Sequence, residues 1–494
     1  MHARRAIPSG INQLDLTERI IARRTDHWAG KPPPHGCHGQ CGINASSRPL
    51  TRHRLMNRHF LCLVGLLLLH DTVCLAEDAE RAAPESLALH GQLTYTVQSV
   101  GSFTAPYSGA NSLHPNQTRS TTDATLYAGA RLAQGLEAWI NVEVDQGFGL
   151  DNTLGTAGFP SGEAYKVGRS GPYLRLPRLF VRETVNLEGE TSPVASQANQ
   201  LAGRQSAHRW VFTAGKFGVT DIFDASQYAH DPRHDFLNWT AIDAGNFDYA
   251  ADAWGFSVGA AAERYAGDWV TRLGLFDLSS IPNSAHLTPG FHQFQWVGEL
   301  EHRHQWRGHD GKALVTAFAS RAQMGKLADA TAVAIADGSV PDVAAVRHRD
   351  QRIGVSLLAE QALSADLGAF LRIGQSDGRF EAYEFTDIDR AISVGLSSAG
   401  SRWHRPADTV GLAVMRNDLS ADRARYLALG GLGILIGDGA LHRVAAESIV
   451  EAYYAIALGS WGALTLDLQR VDNPAYNAER GPLTIGAVRL HAQF

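Results

Sequence analysis

The chain has 494 residues, 44% of them hydrophobic and 19% charged, with 49 glycines, four cysteines and a formal net charge of −6. This apolar content excludes a disordered polymer, and four cysteines are too few for a disulfide scaffold. The one long apolar run, Phe60 to Leu69, is about half of the ~20 residues a membrane-spanning helix requires, so a soluble globular protein or a β-barrel membrane protein remains.

The N-terminal part reads as targeting sequence. From Met56 the chain carries Arg58 and His59, the apolar run, and then Cys74-Leu75-Ala76 with small residues where signal peptidases inspect the chain. The layout predicts a signal peptide over 56–76, cleavage after Ala76, and a physiological start at Met56 with residues 1–55 as an upstream extension from a mis-assigned start. Cys37 and Cys41 with His35 and His38 offer a competing metal-binding reading, but a lone Cys pair in loop-like sequence is weak support for it. The segment to Ala76 contains ten Lys/Arg and four acidic residues, which leaves 34 basic and 46 acidic residues, a net charge of −12 and no cysteine. An exported acidic chain without a basic footprint argues against nucleic-acid binding.

Beyond Ala76 the dominant pattern has period two in segments of about ten residues. In Leu89-His90-Gly91-Gln92-Leu93-Thr94-Tyr95-Thr96-Val97-Gln98 apolar residues or Gly alternate with polar ones, and Leu136, Ala138, Ile140, Val142 and Val144 alternate with Glu137, Trp139, Asn141, Glu143 and Asp145. Such segments predict strands near 87–98, 122–132, 136–147, 176–187, 209–217, 248–262, 268–278, 292–304, 312–320, 351–362, 366–376, 390–399, 408–416, 446–458, 461–470 and 482–494. Tight links alternate with long ones, the loop sorting of an outer-membrane barrel with short periplasmic turns. The long link 188–208 breaks that rule. At the chain's end Val488, Leu490, Ala492 and Phe494 share one face, and a terminal aromatic on an alternating last strand looks like the signal read by barrel-assembly machinery. The fold class expected is all-β: a transmembrane antiparallel barrel, one domain over 77–494, whose closure bonds every backbone group that lipid cannot solvate.

Several blocks carry a family resemblance. They include Asn199-Gln200-Leu201-Ala202-Gly203, Ala214-Gly215-Lys216-Phe217-Gly218-Val219-Thr220-Asp221-Ile222-Phe223-Asp224, Tyr228-Ala229-His230-Asp231-Pro232-Arg233, Asp235-Phe236-Leu237-Asn238-Trp239, Asp248-Tyr249-Ala250-Ala251-Asp252 and Gln469-Arg470-Val471-Asp472-Asn473-Pro474. From about residue 87 to Phe494 the chain resembles the carbohydrate-selective porins (OprB type) of Gram-negative outer membranes. The resemblance implies sixteen strands, passive diffusion of monosaccharides or small oligosaccharides, and the long 188–208 link as a feature shared with the family. Ala225-Ser226-Gln227 stands where family members usually carry asparagines, which leaves the preferred sugar open.

A diffusion pore needs no nucleophile or cofactor, only a wet passage whose lining exchanges hydrogen bonds with hydroxyls weakly enough to release them. Strand parity puts Trp139, Glu143 and Arg372 on the pore side, along with Tyr127, Arg131, Glu137, Asn141, Asp145, Arg272, Glu299, Glu301, Arg352, Glu360, Glu451, Tyr453, Asp467, Arg489 and His491. The alternative is that most of these are ordinary wall residues paired across strands. Arg182, carried over from the matching Val181-Arg182-Glu183 position, is expected at the constriction. Segment 218–247, after the fifth strand, is the expected constriction loop, with Asp221, Asp224, Tyr228, Asp231, Arg233, Asn238 and Trp239 as candidate sugar contacts. Asp231-Pro232 and Asn238 are also turn formers that could serve only to shape it.

The expected partners are carbohydrate solutes, outer-membrane lipid and, through Phe494, the assembly machinery, with monomer and homotrimer both left open. A barrel enzyme such as a lipase or protease, and a general or anion-selective porin, are the rival readings. No Ser or Cys nucleophile is placed beside His230 and Asp231 by any motif, and Gly430-Gly431-Leu432-Gly433 lacks the βαβ setting of a dinucleotide loop.

Overall fold

The computed structural model describes residues 84–494 apart from 165–167 and 288–289, so the signal peptide, the upstream extension and the Cys37/Cys41 reading lie outside the described residues. Sixteen strands close into one antiparallel barrel. The first eight are β1 (Leu87–Val100), β2 (Gln117–Ala133), β3 (Leu136–Gly147), β4 (Arg169–Asn186), β7 (His208–Phe217), β8 (Ser257–Ala266), β9 (Trp269–Asp277) and β10 (Phe294–Trp306). The others are β11 (His309–Met324), β12 (His348–Ala362), β13 (Leu367–Ser376), β14 (Arg390–Gly400), β15 (Arg405–Asp418), β16 (Glu447–Ala457), β17 (Gly462–Asp472) and β18 (Leu483–Gln493). Two short strands, β5 (Thr191–Val194) and β6 (Gly203–Ser206), form a separate ribbon.

Alternation sorts the faces as a lipid-embedded barrel requires. On β1, Leu87, Leu89 and Tyr95 are exposed while Thr94, Thr96 and Gln98 are buried in the interior. β1 pairs with β18 from Gln92 opposite Gln493 to Val100 opposite Ile485, and Gly91 and Phe494 exchange backbone hydrogen bonds of 3.1 and 3.0 Å. The barrel itself has no open edge, so its backbone is satisfied at every depth of the bilayer.

At one end the strands join through tight turns, such as Arg307-Gly308, whose φ angles of 53° and 78° match a two-residue hairpin. At the other end the links are long and carry three helices: α1 (Trp239–Ile242), α2 (Leu327–Asp337) and α3 (Ala421–Ala428). The long link between β4 and β7, at the tight-turn end, is the β5–β6 ribbon. Its tip docks back onto the barrel: Arg131 donates to Ala202 O at 2.9 Å, and Ala202 N donates to Glu85 at 2.7 Å.

All sixteen predicted strands are present, and the sixth starts late. Ser257, not residue 248, opens β8. The preceding stretch passes through the interior because the buried Asp248 carboxylate pairs with Arg352 and accepts the backbone N–H groups of Glu384 and Phe385 at 3.0 and 3.1 Å. β4 begins at Arg169 rather than 176, and its pairing with β3 is broken by two register shifts.

Candidate functional site: a lumen narrowed by an inward-folded loop

The segment 218–256 between β7 and β8 folds into the barrel because wall carboxylates facing inward supply acceptors for its backbone. Glu451 on β16 accepts from Asn238 N, Glu299 on β10 accepts from Asp224 N at 2.7 Å, and Glu360 on β12 accepts from Ser226 Oγ at 2.7 Å. Arg489 on β18 donates to Asp235 O at 2.9 Å. A second segment, 148–164, packs beside it: Phe159 stacks on Trp239 with ring centroids 5.0 Å apart, and Glu447 accepts the N–H groups of Ala157 and Gly158 at 2.9 and 2.7 Å.

The candidate residues fall into two groups. Asp224, Asn238, Arg372, Glu143 and Trp139 are all buried and hold the loop or the wall together. Arg372 lies 3.2 Å from Asp224 and also donates to the backbone of the loop. Asn238 caps α1 by accepting from Thr240 N at 3.0 Å, while its amide donates to Gly158 O at 3.0 Å and Gln469 at 3.1 Å. Glu143 pairs with Arg175 and accepts from Thr125. Trp139 lies over Gly129, where an added Cβ would come within 2.5 Å of the indole. Half-buried Tyr228 covers Gly368 of β13.

The second group lines a cavity of about 940 Å³ that reaches from Gln197 in the ribbon tip to Leu435 in the β15–β16 link. Arg182, Asp221, Asp231, Arg233 and Trp239 are in this lining. Arg182 donates to Asn199 O at 2.7 Å and lies 3.3 Å from Glu137, so it stands near the tight-turn end, against the ribbon tip. Arg178 holds Asp221 through both carboxylate oxygens, and Arg233 reaches Asp123 at 3.4 Å and Glu163 at 3.5 Å. Guanidinium groups and carboxylates thus share one wall with the stacked Phe159 and Trp239, a combination able to bond vicinal hydroxyls and to cover an apolar C–H face.

The ionisable groups of the two inserted segments are strongly tuned. Burial pushes the Glu163 carboxyl well above the usual carboxylate range, with Arg233 opposing the shift. Asp231 is also disfavoured by burial, yet the charges of Arg233 and His234 pull it down to about 2. His230 Nδ1 lies 3.3 Å from Asp243 Oδ1. Burial disfavours the imidazolium, but Asp243 outweighs it and raises His230 to about 9.

Sequence reasoning missed Arg178, Phe159, Glu163, Tyr249, Trp254 and the ribbon tip, all in or beside this cavity. Arg178 was accessible: counting back by twos from Arg182 through Phe180 reaches it. The register shift between Asn141 and Glu143 hides Arg175, because a bulge reverses which parity faces inward. No periodicity marks the tip or Phe159, which lie outside the barrel strands.

Comparison with known proteins agrees with this architecture. The sequence matches the carbohydrate-selective porin, OprB family, over residues 110–494. The structure superposes on OprB of Pseudomonas putida, in its high-pH structure, with a TM-score of 0.63 and 16% identity, covering 83% of this chain and 94% of that one. Weaker likenesses include the outer-membrane channel DcaP of Acinetobacter baumannii (TM-score 0.45, 12% identity, 83% and 97% covered) and OccAB1 of the same organism (0.43, 10%, 82% and 96%). No curated protein matches the sequence. With the family matched across most of the chain and the sixteen-strand barrel in place, this protein belongs to the OprB family of carbohydrate-selective porins and resides in the Gram-negative outer membrane.

Proposed function

We propose that the 940 Å³ cavity is where this carbohydrate porin meets its solute, with monosaccharides or small oligosaccharides diffusing down their gradient past Arg178, Arg182, Asp221, Asp231 and Arg233. The observation that carries this reading is the pairing of that charged wall with the Phe159–Trp239 stack on the inward-folded segments. Charged groups already held by partners exchange hydrogen bonds with hydroxyls without trapping them, which a passage requires. Asp224, Asn238 and Arg372 act as positioning residues that keep the loop in the lumen, while Glu143 and Trp139 brace the wall beside it.

Diffusion through a water-filled passage needs no reacting group, so the protein acts as a channel and not as an enzyme. Phe494, just past the closing strand and 57% exposed, is the group offered to the barrel-assembly machinery. Single-channel conductance of refolded protein with added glucose and other sugars tests the reading. Sugar-dependent block of the current is expected. A channel indifferent to every sugar would reduce it to a general porin, and no channel at all would overturn it.

A further inference from the structure

We propose that an arc of arginines on the outer surface of β11–β17 docks the phosphate groups of anionic glycolipid headgroups in the outer leaflet. Near the long-loop end of these strands the outward places hold Arg321 on β11, Arg349 on β12, Arg390 on β14, Arg416 on β15 and Arg470 on β17, every one exposed. Their chain neighbours Ala322, Arg352, Ala391, Met415 and Val471 are buried in the interior within three positions, which fixes the direction of the arginines as outward.

Strand register groups the arginines locally, one group on β11–β12 and the other on β14–β17. Arg321 lies opposite Gln351 and Arg349 opposite Gln323, Gln375 lies opposite Arg390, and Arg416 lies opposite Ser448. Two to four residues deeper along the outward rows stand Ile353, Ile373, Ile392, Val414 and Leu468, all more than 40% exposed. Those aliphatic side chains belong in the acyl region, so the arginines above them stand at headgroup height.

Arg416 and Arg470 are held by their own neighbours, Asp418 at 3.0 Å and Asp472 at 3.1 Å. Arg321, Arg349 and Arg390 form no carboxylate ion pair among the described residues. Arg349 donates only to His292 O at 2.7 Å, and Arg390 to Leu419 O at 3.2 Å. Arg390 faces Asp418 across β14–β15, a carboxylate it shares with Arg416, whereas Arg321 and Arg349 face only glutamines across β11–β12. A guanidinium at a lipid boundary without a facing carboxylate calls for an anion, and the planar fork of Arg matches phosphate in two hydrogen bonds.

The arc also departs from the rest of the surface. On β1–β3 the corresponding outward places hold Ser99, Thr118, Ser120 and Gln146, without charge. At the tight-turn end Trp210, Trp269, Trp306, Trp403 and Trp461 are exposed and form an aromatic girdle. The chain is acidic overall, so a basic outer arc does not follow from composition.

The test uses the folded full-length barrel in neutral detergent, incubated with bis-phosphorylated lipid A or with its dephosphorylated form, with bound lipid counted by native mass spectrometry. Retention of the phosphorylated form alone is expected. Replacing Arg321, Arg349 and Arg390 together by Gln is expected to lower that retention about tenfold, with the folded-barrel shift on gels unchanged. The single Arg349→Gln variant carries the same readout if the triple variant fails to assemble. Equal retention of both lipids, or retention unaffected by the substitutions, would overturn the proposal. So would displacement of the lipid by low concentrations of inorganic phosphate, which would make the arc a site for soluble anions.

Discussion

Arg372 illustrates how much of the lumen depends on single buried charges. It is 2% exposed, and its partner Asp224 is wholly buried. Arg372→Ala leaves that carboxylate uncompensated, and the loss is expected to be about 3–5 kcal/mol, the usual cost of breaking a buried pair from one side. Thermal unfolding followed by the heat-dependent shift of the folded barrel on gels measures it; an unchanged midpoint would mean that the loop relaxes without penalty. Arg182 predicts a different outcome. It lines the cavity and is 22% exposed at the side chain, so Arg182→Ala is expected to alter sugar block with little loss of stability. Unchanged block would return it to the wall.

His230 supplies a pH dependence with a definite sign. Its pKa of about 9 in the folded loop lies above the ordinary 6.5, so protonated His230 stabilises the loop fully below about pH 6.5, and that contribution is lost as pH rises through about 9. Open-channel noise is expected to increase across this upper range, and Asp243→Asn is expected to remove the transition because the partner charge is gone. Noise that is flat with pH in the unmodified channel would show that the pair does not hold the loop.

Among the elements, the barrel strands were legible from alternation and the inserted segments were not. Leu136 to Val144 announce β3 because lipid and lumen sit on opposite faces of one pleated strand. Segment 218–247 was marked as inward only by its place after the fifth barrel strand and its polar density, and 248–256 reads as strand. What seats the inserted segment is a set of acceptors on β10, β12 and β16 and a guanidinium donor on β18, which no local pattern announces. The ribbon tip is a second such case, irregular in sequence yet pinned at Glu85, Arg131 and Arg182. Shortening the chain across 195–202 is expected to leave the barrel assembled and to raise single-channel conductance, because 197–200 line the cavity at its tight-turn end. Unaltered conductance would place the narrowest point elsewhere along the lumen.

At the scale of the whole molecule, closure of β1 against β18 ties the chain's last residue to the barrel's integrity. Removing Phe494 deletes the backbone bonds to Gly91 and an aromatic side chain lying against that glycine, and a lower yield of assembled barrel is expected in outer-membrane fractions. The sequence by itself determined the all-β class, the strand number, the lipid-facing residues and the sorting of short and long links. All of these follow from period-two alternation and from the requirement that lipid-exposed backbone be hydrogen-bonded. Tertiary structure alone decided that Asp224, Asn238, Glu143, Trp139 and Arg372 brace the interior while Arg178, Arg182, Asp221, Asp231, Arg233 and Trp239 border open space. Strand parity tells inside from outside, but inside the barrel every polar side chain looks alike until a folded-in loop covers some and leaves others bare.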